Sequence, residues 1–130
     1  MANETRGEAM ERVQFHLALA GAHAGRMARL LTLGRDEQGL PAMLVLPFAR
    51  HLLAQALRDA ADGCETLGVE QGDLRWTGPV ALIHNASGLV WPLRDAATCL
   101  RIAALTDRLR AAVVTLRERS LARPVGVRLS

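Results

Sequence analysis

The sequence predicts an α+β domain, an antiparallel sheet of about five to six strands packed against two helices, the longer of them C-terminal. Three observations carry this expectation. Residues 94–120 place Ile102, Leu105, Leu109, Ala112, Val113 and Leu116 at helical spacing with arginines on either side. Residues 13–19 alternate Val13, Phe15, Leu17 and Leu19 with Gln14, His16 and Ala18. Several short apolar runs are bounded by glycine, asparagine and serine. An amphipathic helix needs an apolar surface to face, and runs of period two or bounded by turn residues supply that surface as strands.

Element by element, residues 1–11 are polar and unpatterned and read as a flexible lead, followed by a single domain over residues 12–120 and a basic tail at 121–130. The first strand occupies residues 13–19, and Gly21 and Gly25 bracket a turn. A second strand spans residues 26–33, and the run between Gly34 and Gly39 closes a hairpin onto residues 42–46. A rival reading makes residues 8–32 one alanine-rich helix, since Ala, Leu, Met and Arg are good helix formers. Pro47 suits the first turn of the next helix, whose Ala49, Leu53, Ala56, Leu57 and Ala60 share a face and which Gly63 ends. After a polar connection, residues 74–77, 80–84 and 89–91 are strand candidates, the last two joined by Asn85, Ala86, Ser87 and Gly88.

Composition bounds the function. With 130 residues, 50% hydrophobic and 22% charged, the chain is long enough for one domain with its own core. No apolar run approaches the roughly 20 residues needed to cross a bilayer, and the start lacks the basic and apolar regions of a secretory signal, so a cytoplasmic location is expected. All sixteen basic residues are arginine. Residues 1–93 carry eight arginines against ten acids, a net of −2, and residues 94–130 eight against three, a net of +5. The positive charge therefore sits on the last helix and tail.

No catalytic, metal or cofactor motif emerges. Cys64 and Cys99 form no CxxC, and histidines 16, 23, 51 and 84 lack ligand spacing. Ser87 lies near His84 but in no nucleophile elbow. Asn85-Ala86-Ser87 spells a sequon that means nothing without secretion. The expected activity is binding rather than catalysis, with no cofactor. The candidate interaction surface comprises Arg94, Arg101, Arg108 and Arg119 on one flank of the apolar stripe, Arg110 and Arg117 on the other, and Trp76 and Trp91, each of which also suits a core. A third face with Ala97, Leu100, Ala104 and Ala111 is small enough for close helix approach, which points to a homodimer or a protein partner.

Residues 77–82, Thr-Gly-Pro-Val-Ala-Leu, then 88–93, Gly-Leu-Val-Trp-Pro-Leu, then a long amphipathic helix, resemble the C-terminal half of type III secretion chaperones that bind effectors. The resemblance implies a small dimeric protein without enzymatic activity, holding an extended segment of a secretion substrate along its sheet. Strands followed by a helix, twice, with a basic face, are also similar in outline to single-strand nucleic-acid binders of the Pur and Whirly type. The aromatic content of 3% speaks against this alternative, because such binding uses stacking platforms as well as charge.

Overall fold

The computed structural model describes residues 5–127, with side chains described to Arg119. Among these residues there are four α-helices and no strand: α1 (Arg6–Leu33), α2 (Ala42–Glu65), α3 (Thr77–Gly88) and α4 (Ala96–Val127). The expected α+β sheet is therefore corrected to an antiparallel four-helix bundle. The strands expected at 13–19 and 26–33 both lie in α1, that at 42–46 opens α2, that at 80–84 lies in α3, that at 89–91 is the turn following α3, and of residues 74–77 the first three form a 3₁₀ turn running into α3 at Thr77. With them goes the sheet that either resemblance needs for holding an extended ligand. Of the expected lead, residues 1–4 lie outside the described residues, and residues 6–11 form the first turns of α1 with Met10 buried. Of the expected tail, residues 128–130 lie outside them too, and the backbone of residues 121–127 continues α4.

Several helix boundaries have an identifiable physical cause. Thr5 caps α1 reciprocally with Glu8: the Glu8 amide donates to Thr5 Oγ1 at 3.1 Å and the Thr5 amide to Glu8 Oε1 at 2.9 Å. Gly34, at φ 77°, ends it in the left-handed conformation that suits glycine. In the following turn Asp36 Oδ1 accepts from the amides of Gln38 and Leu40, each at 2.9 Å. Pro47 lies inside α2 rather than at its start, on the exposed side, where its missing N–H leaves only a solvated carbonyl without a helical partner. A π-helical turn, Thr66–Glu70, extends α2, and Asp73 caps the 3₁₀ turn Leu74–Trp76. Asp95 caps α4 by accepting from the Thr98 amide at 2.7 Å.

The core follows a heptad-like rhythm. In α1 it is Met10, Val13, Leu17, Ala20, Ala24 and Met27, and in α4 it is Cys99, Ile102, Thr106, Leu109 and Val113, all buried. Spacings of three and four keep one seam facing inward, as in other antiparallel bundles. From α2 come Ala49, Leu53, Ala56, Leu57 and Ala60, the face expected from the sequence.

Three sets of partners fix the directions. Gly63 of α2 lies against Val13 of α1, and Gly21 of α1 against Thr106 of α4. Arg117 of α4 donates to Gln14 at 2.7 Å and to Glu11 at 3.1 Å on α1. His84 of α3 meets Glu65 of α2 at 3.1 Å. The helices thus run up, down, up and down. α1 packs on α2 and α4, and α3 on α2 with a lighter contact to α4, so α2 and α4 stand on one diagonal. Gly21 and Gly25 are helical, and Gly21 takes the position where α4 comes close: a Cβ there would lie 3.0 Å from Thr106 Oγ1.

Candidate functional site

The outer face of α4 and the upper part of α1 form the arrangement with the most chemistry left unused by folding. Turned away from the core seam, Ala97, Leu100, Ala104 and Ala111 form an exposed stripe along α4, with Leu100 57% exposed and the carboxylate of exposed Asp107 set between Ala104 and Ala111 on the side of α1. Beside it, Gly25, Ala28, Thr32 and Leu33 of α1 line an open groove of about 380 Å³ together with Arg29 and Leu100. On the α1 side the groove is floored by the small residues Gly25, Ala28 and Thr32, and α4 contributes Leu100.

Arginines edge the stripe. Arg101 and Arg108 lie exposed along one side of it and Arg119 continues the row, while Arg29 stands exposed on the α1 side. Arg94 is exposed too, but it precedes α4 and lies in the connection from α3. Among the described residues none of these five has an ion-pair partner within 4.0 Å. Asp95, next to Arg94, is held below the usual carboxylate range chiefly by the Thr98 amide and hydroxyl, with a smaller contribution from Arg101. An anionic group reaching this edge would meet guanidinium donors whose hydrogen-bonding capacity is still in water.

The remaining candidates separate. Arg110 is exposed on the other flank. Arg117 is half-buried and committed to Glu11 and Gln14, where it ties α4 to α1. Trp76 is fully buried and belongs to the core, its indole Nε1 without a hydrogen-bond partner among the described residues. Trp91, 55% exposed, lies in the connection between α3 and α4. No family model, curated protein or solved structure matches this chain.

Among the described residues no three or more His, Cys, Asp or Glu side chains gather to hold a metal, and no helix is long and apolar enough to cross a membrane. His16 sits 3.8 Å from Asp59, and His84 pairs with Glu65, so these two histidines serve helix contacts. Cys64 and Cys99 are buried.

Sequence reasoning missed a second exposed surface. Met43, Leu44 and Phe48 on the first turns of α2 are 78%, 60% and 72% exposed, and Leu52 continues the patch. Reading residues 42–46 as a strand hid it, because the helical phase of α2 was started at Pro47. Carried back to Ala42, the same phase that buries Ala49 and Leu53 turns Leu44 and Phe48 outward.

Proposed function

We propose that this protein is a cytoplasmic binding module that acts without catalysis, taking up an acidic amphipathic helix of a partner protein along the outer face of α4. The observation that carries this reading is the exposed stripe of Ala97, Leu100, Ala104 and Ala111, bordered by Arg101 and Arg108 on one edge and by Arg29 across the groove. A helix laid there places its apolar residues against Leu33, Leu100 and the alanines, with carboxylates against Arg101 and Arg108 on one side and against Arg29 on the other, and an uncharged or basic residue at the level of Asp107. This is the helix-in-groove mode, in which apolar anchors give affinity and charge gives orientation. The protein-partner reading from the sequence is kept in this helical form.

A single nucleic-acid strand is the competing ligand for the same arginines. The α4 stripe, however, carries alanines and a leucine where a strand binder carries stacking rings.

The test is an NMR titration of isotope-labelled protein with a synthetic peptide of leucine and glutamate in amphipathic helical order, and separately with oligo-dT, at low and moderate salt. The reading expects the peptide to perturb the outer face of α4 and the last turns of α1. It also expects Arg101→Glu with Arg108→Glu to abolish that response in a chain that keeps its helical signal. Absence of any response to the peptide, or binding of oligo-dT alone with a steep loss as salt rises, would overturn it.

A further inference from the structure

The last turns of α1 and the turn that follows them enclose a small pocket of about 100 Å³. Its charged lining is Arg26, Arg29, Arg35, Asp36 and Glu37, and Leu30 and Leu33 form its apolar wall. Arg26 and Arg29 lie one turn apart on α1, and the left-handed cap at Gly34 turns the chain back so that Arg35 joins them. The backbone around Arg35 is pinned, with the Ala42 amide donating to the Gly34 carbonyl and the Asp36 amide to the Leu40 carbonyl, each at 2.9 Å. Hydrogen-bonded structure thus holds three guanidinium groups around one space.

The two carboxylates differ in what they do there. Asp36 Oδ1 accepts from the amides of Gln38 and Leu40 and so holds the turn. Glu37 is 65% exposed, and its Oε1 stands 3.8 Å from Arg26 Nε, beyond hydrogen-bond reach. Among the described residues Arg29 and Arg35 have no ion-pair partner within 4.0 Å. Glu37 is therefore the one loosely held anion of the pocket.

The charges select the ligand. Three arginines against Asp36 and Glu37 leave one positive charge. A carboxylate in place of Glu37 leaves that balance as it was, whereas a dianion in its place, with Glu37 turned to solvent, neutralises the site. A phosphate monoester carries about −1.5 to −2 at neutral pH with three acceptor oxygens, and guanidinium forks pair with phosphate bidentately. The volume of about 100 Å³ matches about three waters and falls short of the roughly 300–1,000 Å³ of a drug-sized site. The pocket accordingly takes the phosphate group and leaves its carrier outside. Arg29 and Leu33 also line the groove beside α4, so a carrier seated in that groove can reach it.

We propose that this pocket is a phosphate-monoester site, in which Arg26, Arg29 and Arg35 hold the phosphate and the Glu37 carboxylate is the group it displaces. Arg26 and Arg35 do not line the α4 groove, so the site does not rest on the peptide reading and its test is separate.

The experiment is an NMR titration of the isotope-labelled full chain with inorganic phosphate at pH 7.5 and fixed ionic strength. Further arms use acetate and the leucine–glutamate peptide preceded by serine or by phosphoserine. Phosphate is expected to shift the Nε–Hε signals of the three arginines saturably, and acetate to bind about tenfold more weakly. Arg26→Ala and Arg35→Ala are each expected to weaken phosphate about tenfold. Glu37→Gln is expected to tighten it severalfold, and Arg58→Ala, exposed on α2, to change nothing. Arg35 and Glu37 are exposed and Arg26 is partly so, so helical content by circular dichroism should stay unchanged. Tighter binding of the phosphoserine peptide than of the serine peptide, with the gain lost in Arg35→Ala, supports the site with a phosphorylated partner as carrier. Equal or absent binding of both peptides while phosphate binds supports it with a small phosphate compound as carrier. No saturable response to phosphate, acetate binding as well as phosphate, wild-type affinity in Arg35→Ala, or no tightening in Glu37→Gln would each overturn the proposal.

Discussion

Gly63 of α2 presses against Val13 of α1: a Cβ added at Gly63 would lie 2.6 Å from Val13 Cγ2 and 3.4 Å from the Ala9 carbonyl oxygen. The sequence suggests a helix stop at this glycine, but the helix runs through it to Glu65, and its missing side chain sets how near α1 and α2 come. Exchanging glycine for alanine inside a helix is normally worth up to about 1 kcal/mol of stabilisation. Here the overpacking outweighs that gain, and Gly63→Ala is expected to destabilise the fold by about 1–3 kcal/mol. Gly25→Ala, whose Cβ would meet only the end of Arg29 at 3.9 Å, should instead stabilise it by about 0.5–1 kcal/mol. Urea unfolding of the two variants checks the opposite signs.

Asp73 gathers Arg6 from α1 and Arg75 from its own turn, the latter at 2.7 Å, and also caps the 3₁₀ turn through the Arg75 amide. The Arg75 hydrogen bond is the largest of several that hold its carboxyl far below the usual carboxylate range, against an opposing effect of burial. A carboxylate depressed in the folded state contributes stability that is complete above its unfolded pKa, about 4, and is lost as pH falls below that. With the arginines about one-third exposed, screening limits the contribution, and Asp73→Ala is expected to cost about 1–2 kcal/mol at neutral pH. The gap between variant and wild type should narrow as unfolding is measured from pH 5 down to pH 2. A gap that stays constant would show that the ionised carboxylate is not its source.

The thiols should be inert until the bundle opens. Burial pushes Cys64 up to about 12 and Cys99 up to about 11, and the thiolate is the reactive form. At pH 8 the native protein is expected to react with a thiol reagent orders of magnitude more slowly than the denatured chain, which should titrate both cysteines at once.

Arg50 reaches from α2 to the connection before α4, donating from Nη2 to the Leu93 carbonyl oxygen at 2.6 Å, while its Nε is buried without a partner. Replacing it with methionine removes the charged hydrogen bond and the unsatisfied Nε together, so the two effects oppose each other. Arg50→Met is therefore expected to alter global stability by less than about 1 kcal/mol and yet to speed amide exchange at Val90 and Leu93, whose amides donate to the carbonyls of Ser87, at the end of α3, and of Val90. Unchanged exchange there would show that Arg50 does not hold this segment.

How much was legible in the sequence differs from helix to helix for physical reasons. The C-terminal stripe is long and strongly periodic, so residues 94–120 already anticipate α4, although Ala112 proves exposed and Thr106 takes a core position. The core face of α2 was equally plain from Ala49 to Ala60. In α1 the alternation of Val13, Phe15, Leu17 and Leu19 imitates a strand, yet Val13 and Leu17 are buried one helical turn apart while Phe15 points outward at 60% exposure. The true signal was carried by Ala20, Ala24 and Met27, small or flexible residues that a search for large apolar side chains undervalues. Glycines 21 and 25 look like a turn in one dimension, but Gly21 makes room for Thr106, which no local pattern announces. The arginine edge of α4 could be read in advance, and the division between free Arg101 and Arg108 and committed Arg117 could not, because Glu11 lies 106 positions away.

An even number of antiparallel helices returns the chain to the pole where it set out. Arg6 begins α1 and Val127 ends α4 at the same end of the bundle, with the Arg117 contacts to Glu11 and Gln14 close by. Chain order is consequently separable from architecture. A short flexible linker can join those two ends, and new ends can be opened in the connection between α3 and α4. Such a circular permutant keeps every helix-to-helix face described above and leaves untouched the turn that carries Glu37.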